Sequence, residues 1–163
     1  MISIQAANTL SIPVIKELAY HIWPSTYAPI LPPGQLDYML NLIYSEASLQ
    51  KQMEQGHQFI LIYNKEEAVG FAAYSPKENP AIFKLHKLYV LQNQQGIGIG
   101  KIAIGYVCNA IKNKGATHLE LNVNRDNKAL QFYKKNGFVI IREEDIDIGG
   151  GYFMNDYVLS LEL

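Results

Sequence analysis

A single cysteine, Cys108, stands in 163 residues, so the chain cannot close an intrachain disulfide or build a cysteine-based zinc cluster. Excess charge of either sign is equally scarce. Fourteen Lys and Arg against 15 Asp and Glu leave a net charge of −1, without the basic surplus that draws a protein to nucleic acid or an anionic membrane. Any anion must therefore be met locally. No apolar run approaches the roughly 18 residues of a membrane span. The opening MISIQAANTLSI carries no basic stretch before an apolar signal core, so a cytoplasmic protein is expected. The four histidines, at 21, 57, 86 and 118, lack metal-ligand spacing, and no metal is expected. Internal repeats and low-complexity segments are missing too.

What is there suits one domain over residues 1–163, with 48% of residues apolar and enough chain to bury a core. ISIQAA reads as a strand. Ser11 then precedes Ile15, Leu18, Ala19 and Ile22 at helical spacing, and prolines 24, 29, 32 and 33 predict that this helix ends near Trp23 in an irregular loop. Helices are expected from Gln35 to Tyr44 and from Ser48 to Gln55. HQFILIY and AVGFAAY, joined by NKEE, read as a hairpin. AIFKLHKLYVL reads as a longer strand, with Phe83, Leu85, Lys87 and Tyr89 on one face and Lys84, His86, Leu88 and Val90 on the other. A helix follows, its apolar face drawn from Ile99, Ile102, Ala103, Tyr106, Val107, Ala110 and Ile111, with Ile104 the misfit. HLELNVN is a strand, Asp126 or Asn127 can cap a short helix that Gly137 ends, and two long antiparallel strands flank GGG. The order describes a mixed α/β protein with a largely antiparallel sheet.

QQGIGIGKIAIGYV, residues 94–107, places four glycines in ten positions ahead of that helix. A nucleotide-hydrolase phosphate loop needs Gly-Lys-Ser/Thr, whereas Gly100-Lys101 is followed by Ile102. Gly98-Ile99-Gly100-Lys101-Ile102-Ala103 matches the dinucleotide pattern G-x-G-x-x-A, with Glu120 downstream. That acid stands near the start of its strand rather than the end, and the further β-α units are missing. Glycines that merely permit close backbone packing are the bland alternative. Gln95-x-x-Gly98-x-Gly100 between a strand and an amphipathic helix resembles the acyl-CoA pyrophosphate loop of the GNAT superfamily of N-acetyltransferases. Asn127 to Phe138, NKALQFYKKNGF, resembles that family's second hallmark, and the two motifs stand in the family's order with a strand between them. Two departures remain: the capping position is Asp126-Asn127, and no glutamate stands on the strand before the loop.

The resemblance implies a central twisted, mostly antiparallel sheet of about six or seven strands flanked by helices, and acetyl-CoA as cosubstrate. It implies that backbone N–H groups of residues 95–101 (Gln95, Gly96, Ile97, Gly98, Ile99, Gly100 and Lys101) converge on the pyrophosphate at a positive helix end. Leu88, Tyr89 and Val90 would bind along the acyl end and supply an oxyanion donor, and Asn122, Asn124, Asn127, Ala129 and Lys135 would complete the cofactor site. Tyr133 falls at the family's general-acid position, with core packing the alternative, since it shares a helix face with Ala129 and Leu130. For the base, His86 lies two strand positions before Leu88, on the same predicted face, with an ordinary pKa suited to the task; a solvated histidine is the alternative. IWPSTYAPILPPGQLDYML looks most like family members acting on polyamines or other small amines. A protein amine as acceptor, or a non-catalytic acyl-CoA-binding regulator, are the alternatives. Trp23, Tyr27, Tyr38, Asp147, Asp156 and Tyr157 are the candidates for holding a cationic acceptor, against the plainer reading of core aromatics and solvated acids. Whether the final strands pair across a homodimer stays open.

Overall fold

The computed structural model describes residues 1–163 as one seven-stranded sheet flanked by helices. In chain order the elements are β1 (Ile2–Ala6), α1 (Ile12–Tyr27), α2 (Gln35–Tyr44), α3 (Glu46–Glu54), β2 (Gln58–Asn64), β3 (Glu67–Pro76), β4 (Ile82–Val90), α4 (Ile99–Lys112), β5 (His118–Asn124), α5 (Ala129–Lys135), β6 (Val139–Gly149) and β7 (Tyr152–Glu162). The strands lie in the order β1-β2-β3-β4-β5-β7-β6. Every pairing is antiparallel except β4 with β5, where the chain returns through α4, as a parallel crossover requires.

Two cores sandwich the sheet. Phe59, Leu61, Phe71 and Ala73 face α1, α2 and α3, while the alternating Ile60 and Ala72 join Phe83, Leu119, Leu121, Val107 and Ile111 beneath α4. Strands buried on both faces read as continuous apolar runs, which is why FILI lacks alternation. No helix is long and apolar enough to cross a membrane.

Four details differ from the sequence reading. α1 runs through Pro24 to Tyr27 instead of ending at Trp23. Pro24 has no N–H to donate, but Trp23 and Tyr27 are buried on the core side, 3% and 8% exposed. Burying two such side chains offsets the ~3 kcal/mol a helical proline costs. α3 begins two residues earlier than expected, because Ser45 Oγ caps Ser48 N–H at 3.2 Å. On α4 the buried positions are Ile99, Ala103, Ile104, Val107 and Ile111, whereas Ile102 and Tyr106 are 47% and 38% exposed, so the inward stripe is rotated toward Ile104. In β4 a bulge breaks the alternation. Ala73 pairs with Lys87 but Tyr74 with Leu85, which leaves His86 as the extra residue. Beyond it, Leu88 and Val90 pack toward α4 as Phe83 and Leu85 do. Lys87 and Tyr89 turn to the α1–α3 side.

Candidate active site

The site begins where two strands part. β4 and β5 are paired from Ile82 and His118 as far as Leu85 and Leu121. Past that point β4 stays on β3 to Val90, and β5 stays on β7 to Asn124. The facing main-chain groups of residues 86–90 and 122–124 are left without a strand partner across the gap, and a cavity of about 730 Å³ opens there. The bulge at His86 starts this divergence.

At one end of the cavity is the start of α4. Gly98, at φ +88°, caps the helix, and its carbonyl accepts the N–H of Ile102 at 3.1 Å. The amides just before Ile102 therefore project from a helix N-terminus, where the helix dipole favours an anion. Gln95 anchors the approach, its Nε2 donating to Val90 O at 3.0 Å. Gly100 has a second role. A Cβ there would come within 2.8 Å of the Phe132 ring, so this glycine lets α4 sit against α5. The bland packing reading is true of Gly100 and not of Gly98, around which there is open space.

Deeper in, three phenols meet. Tyr27 and Tyr89 hydroxyls are hydrogen-bonded at 2.9 Å. Tyr133, 8% exposed, lines the same cavity from α5, whose start is fixed by Asn127 Oδ1 accepting the Ala129 N–H at 2.9 Å. Burial pushes all three phenols above their ordinary range, and each is protonated at neutral pH. Lys87 sits behind them. Its Nζ donates to Gln52 Oε1 at 2.6 Å over the Tyr44 and Phe59 rings, and burial lowers its pKa to about 8.

The cavity brings together His86, Leu88, Tyr89, Val90, Gln95, Gly96, Gly98, Ile99, Gly100, Lys101, Asn122, Asn127, Ala129, Tyr133 and Tyr27 among the residues singled out by sequence. His86 is there but poorly suited to accept a proton. Burial first, then His57, Lys87 and Lys84, press its pKa down to about 3; its Nε2 is bonded to Ser75 Oγ at 2.6 Å, and its ring stacks on His57 at 4.0 Å. The strand pattern had promised a free imidazole beside Leu88, and the bulge turned it away.

Other candidates lie off the cavity. Ile97 and Lys135 are exposed, and Asn124 Oδ1 is engaged by the Asp126 N–H at 2.9 Å. Trp23 is core, packed on Tyr27, Tyr44 and Tyr89. Tyr38 donates to Ile148 O at 2.9 Å and packs on Tyr152, Asp147 Oδ1 accepts the Gly149 N–H, and Tyr157 packs against the α4-side core. Asp156 is buried behind Asn122, whose Nδ2 donates to it at 3.3 Å. The last turn of α1 and the turn after it, Ser25, Thr26, Pro29 and Ile30, wall the cavity and were missed. Its sequence signal, a proline cluster, reads as loop.

Such a cavity can hold an extended anion at one end and present main-chain donors and a phenol to a reacting group at the other. Comparison with known proteins agrees with that geometry. A family model described as the acetyltransferase (GNAT) domain matches residues 34–152. The uncharacterized N-acetyltransferase YjcF of Bacillus subtilis is 28% identical over 99 residues, 60% of this chain and 68% of that protein. The [ribosomal protein bS18]-alanine N-acetyltransferase of Haemophilus influenzae is 26% identical over 110 residues, 68% of this chain and 70% of the relative. Among solved structures, the PaiA N-acetyltransferase of Thermoplasma acidophilum, crystallised with coenzyme A, superposes with a TM-score of 0.85 at 22% identity, over 100% of this chain and 99% of that one.

Proposed function

This chain belongs to the GNAT acetyltransferase family and is an N-acetyltransferase that draws on acetyl-CoA, and we propose that it acetylates a small primary amine in the cytoplasm, with residues 1–163 working as one domain. The observation that carries the small-amine reading is the cavity's wall at the end of α1, where Ser25, Thr26, Pro29 and Ile30 line the space and the Tyr27 hydroxyl is hydrogen-bonded to that of Tyr89 on β4 at 2.9 Å. A wall fastened to β4 in this way favours a compact acceptor over a folded protein surface. A protein amine is the second reading, favoured by the likeness to the bS18-alanine enzyme.

Acetyl-CoA supplies a thioester carbonyl open to attack by a neutral amine. The amides at the start of α4 are the groups fitted to its phosphates, which explains how a chain of net charge −1 binds a polyanion. A main-chain N–H on the unpaired edge of β4, among the cavity-lining Leu88, Tyr89 and Val90, stabilises on this reading the negative charge developing on the carbonyl oxygen, worth about 3 kcal/mol for one donor. Tyr133 is the proton donor to the departing sulfur. Its pKa, raised by burial, keeps the proton on the phenol at neutral pH until the thiolate forms.

The test is thiol release from acetyl-CoA across polyamines, amino acids, aminoglycosides and peptides. Turnover with a small amine and none with peptides is expected; the reverse preference would establish the second reading. Tyr133→Phe is expected to lower kcat about 100-fold with the acetyl-CoA Kd unchanged; an unaltered kcat would remove Tyr133 from the chemistry.

A further inference from the structure

An amine with a lysine-like pKa near 10.4 is almost wholly protonated at pH 7, and freeing it costs about 4.6 kcal/mol. His86 cannot help, with its pKa near 3 and its Nε2 engaged by Ser75. Another group can. Asp156 on β7 faces Asn124 of β5 and Glu144 of β6, at the level where β5 has left β4. It is 1% exposed. One carboxylate oxygen, Oδ2, accepts from Asn122 Nδ2 at 3.3 Å, while the other, Oδ1, is buried without any partner. A buried carboxylate oxygen with no donor is costly to keep, and a cationic ligand would relieve that cost. Two residues beside Asp156, Asn122 and Tyr27, line the cavity.

Resting on the acetyl-transfer reading above, we propose that Asp156, one layer behind the cavity wall formed by Asn122 and Tyr27, takes through a single bridging water the proton that the acceptor's ammonium group must lose before it attacks. In a buried setting this transfer turns an ammonium and a carboxylate into two neutral groups, which a low-dielectric environment favours. The C–N bond then forms as the C–S bond breaks. The second proton shed by nitrogen balances the one that Tyr133 delivers to sulfur, and Asp156 releases its own proton to solvent.

The charged and titratable groups around Asp156 are Lys84 of β4, Glu144 of β6, Arg125 after β5 and Tyr27 of α1. Burial leads, and the net result raises the carboxyl above its ordinary value, making it a better base. Wild-type kcat/KM for an alkylamine is thus expected to be flat between the Asp156 pKa and about pH 10. Asp156→Asn should lower it about 100-fold at pH 7 and replace the plateau with a rise of about tenfold per pH unit, since only free amine then reacts. Asp156→Glu should restore the plateau. A wild-type profile that already rises tenfold per unit overturns the proposal without any variant, as does an Asp156→Asn profile parallel to wild type. Absence of thiol release by the wild type with every amine overturns the acetyl-transfer reading itself.

Discussion

Tyr133 and His86 respond to the same force in opposite directions. Burial disfavours the charged form of each, so it raises the phenol and lowers the imidazole. For Tyr133 this preserves a donor, while for His86 it removes a base. The His86 shift has a consequence for stability. Unfolded, the ring titrates near its ordinary 6.5; folded, near 3. The contribution of neutral His86 to stability is thus fully present above pH 6.5 and is lost as pH falls from there toward 3, because the unfolded chain binds the proton first. By pH 5 the loss is on the order of 2 kcal/mol, or roughly 4–8 °C in Tm. His86→Gln is expected to flatten the fall in Tm between pH 7 and 5, and calorimetry at the two pH values checks it; equal falls in both proteins would contradict the burial argument. None of this was legible at the residue level. A histidine in HKLYV looks half-solvated until the bulge and the stacked His57 are known.

Between elements, the decisive contact is α4 on α5. Gly98 and Gly100 look alike in GIGIG, yet their surroundings differ. Gly98 holds a positive φ in open space, and Gly100 lies against the Phe132 ring. Gly100→Ala is expected to cost about 1–3 kcal/mol of stability and, by displacing the helix that carries Tyr133, to lower kcat. Phe132→Leu in the same chain should recover part of both. Gly98→Ala is strained by about 1–2 kcal/mol through its backbone alone and should weaken coenzyme A binding without Phe132→Leu rescuing it. Melting curves and coenzyme A titrations of the four variants separate the two roles; rescue of both alanines by Phe132→Leu would refute it. The glycine spacing marked a candidate phosphate loop that the Tyr133 segment then favoured, but only packing distinguishes a glycine needed for φ from one needed for room. Likewise α1 was read as ending at Trp23, because proline propensity is local and the burial that overrides it is not.

Across the whole molecule, charge is nearly balanced, so on the proposed reading the attraction for a polyanion is concentrated at one helix end. Coenzyme A at 100 times its Kd is expected to add about 2.7 kcal/mol, a rise in Tm of roughly 5–10 °C for a domain of this size, while NAD leaves Tm unmoved; thermal shift with the two ligands checks it, and a response to NAD alone would return the loop to the dinucleotide reading. By itself the sequence determined the element order, the largely antiparallel sheet, the glycine loop ahead of α4 and the helix bearing Tyr133, because each is written in short-range periodicity and turn chemistry. Tertiary structure alone decided that β4 and β5 part after Leu85 and Leu121, that His86 is turned onto His57, and that Asp156 is buried with one oxygen unpartnered. Those facts depend on which distant strands share an edge and on how far water is excluded, and neither is encoded in any window of neighbouring residues.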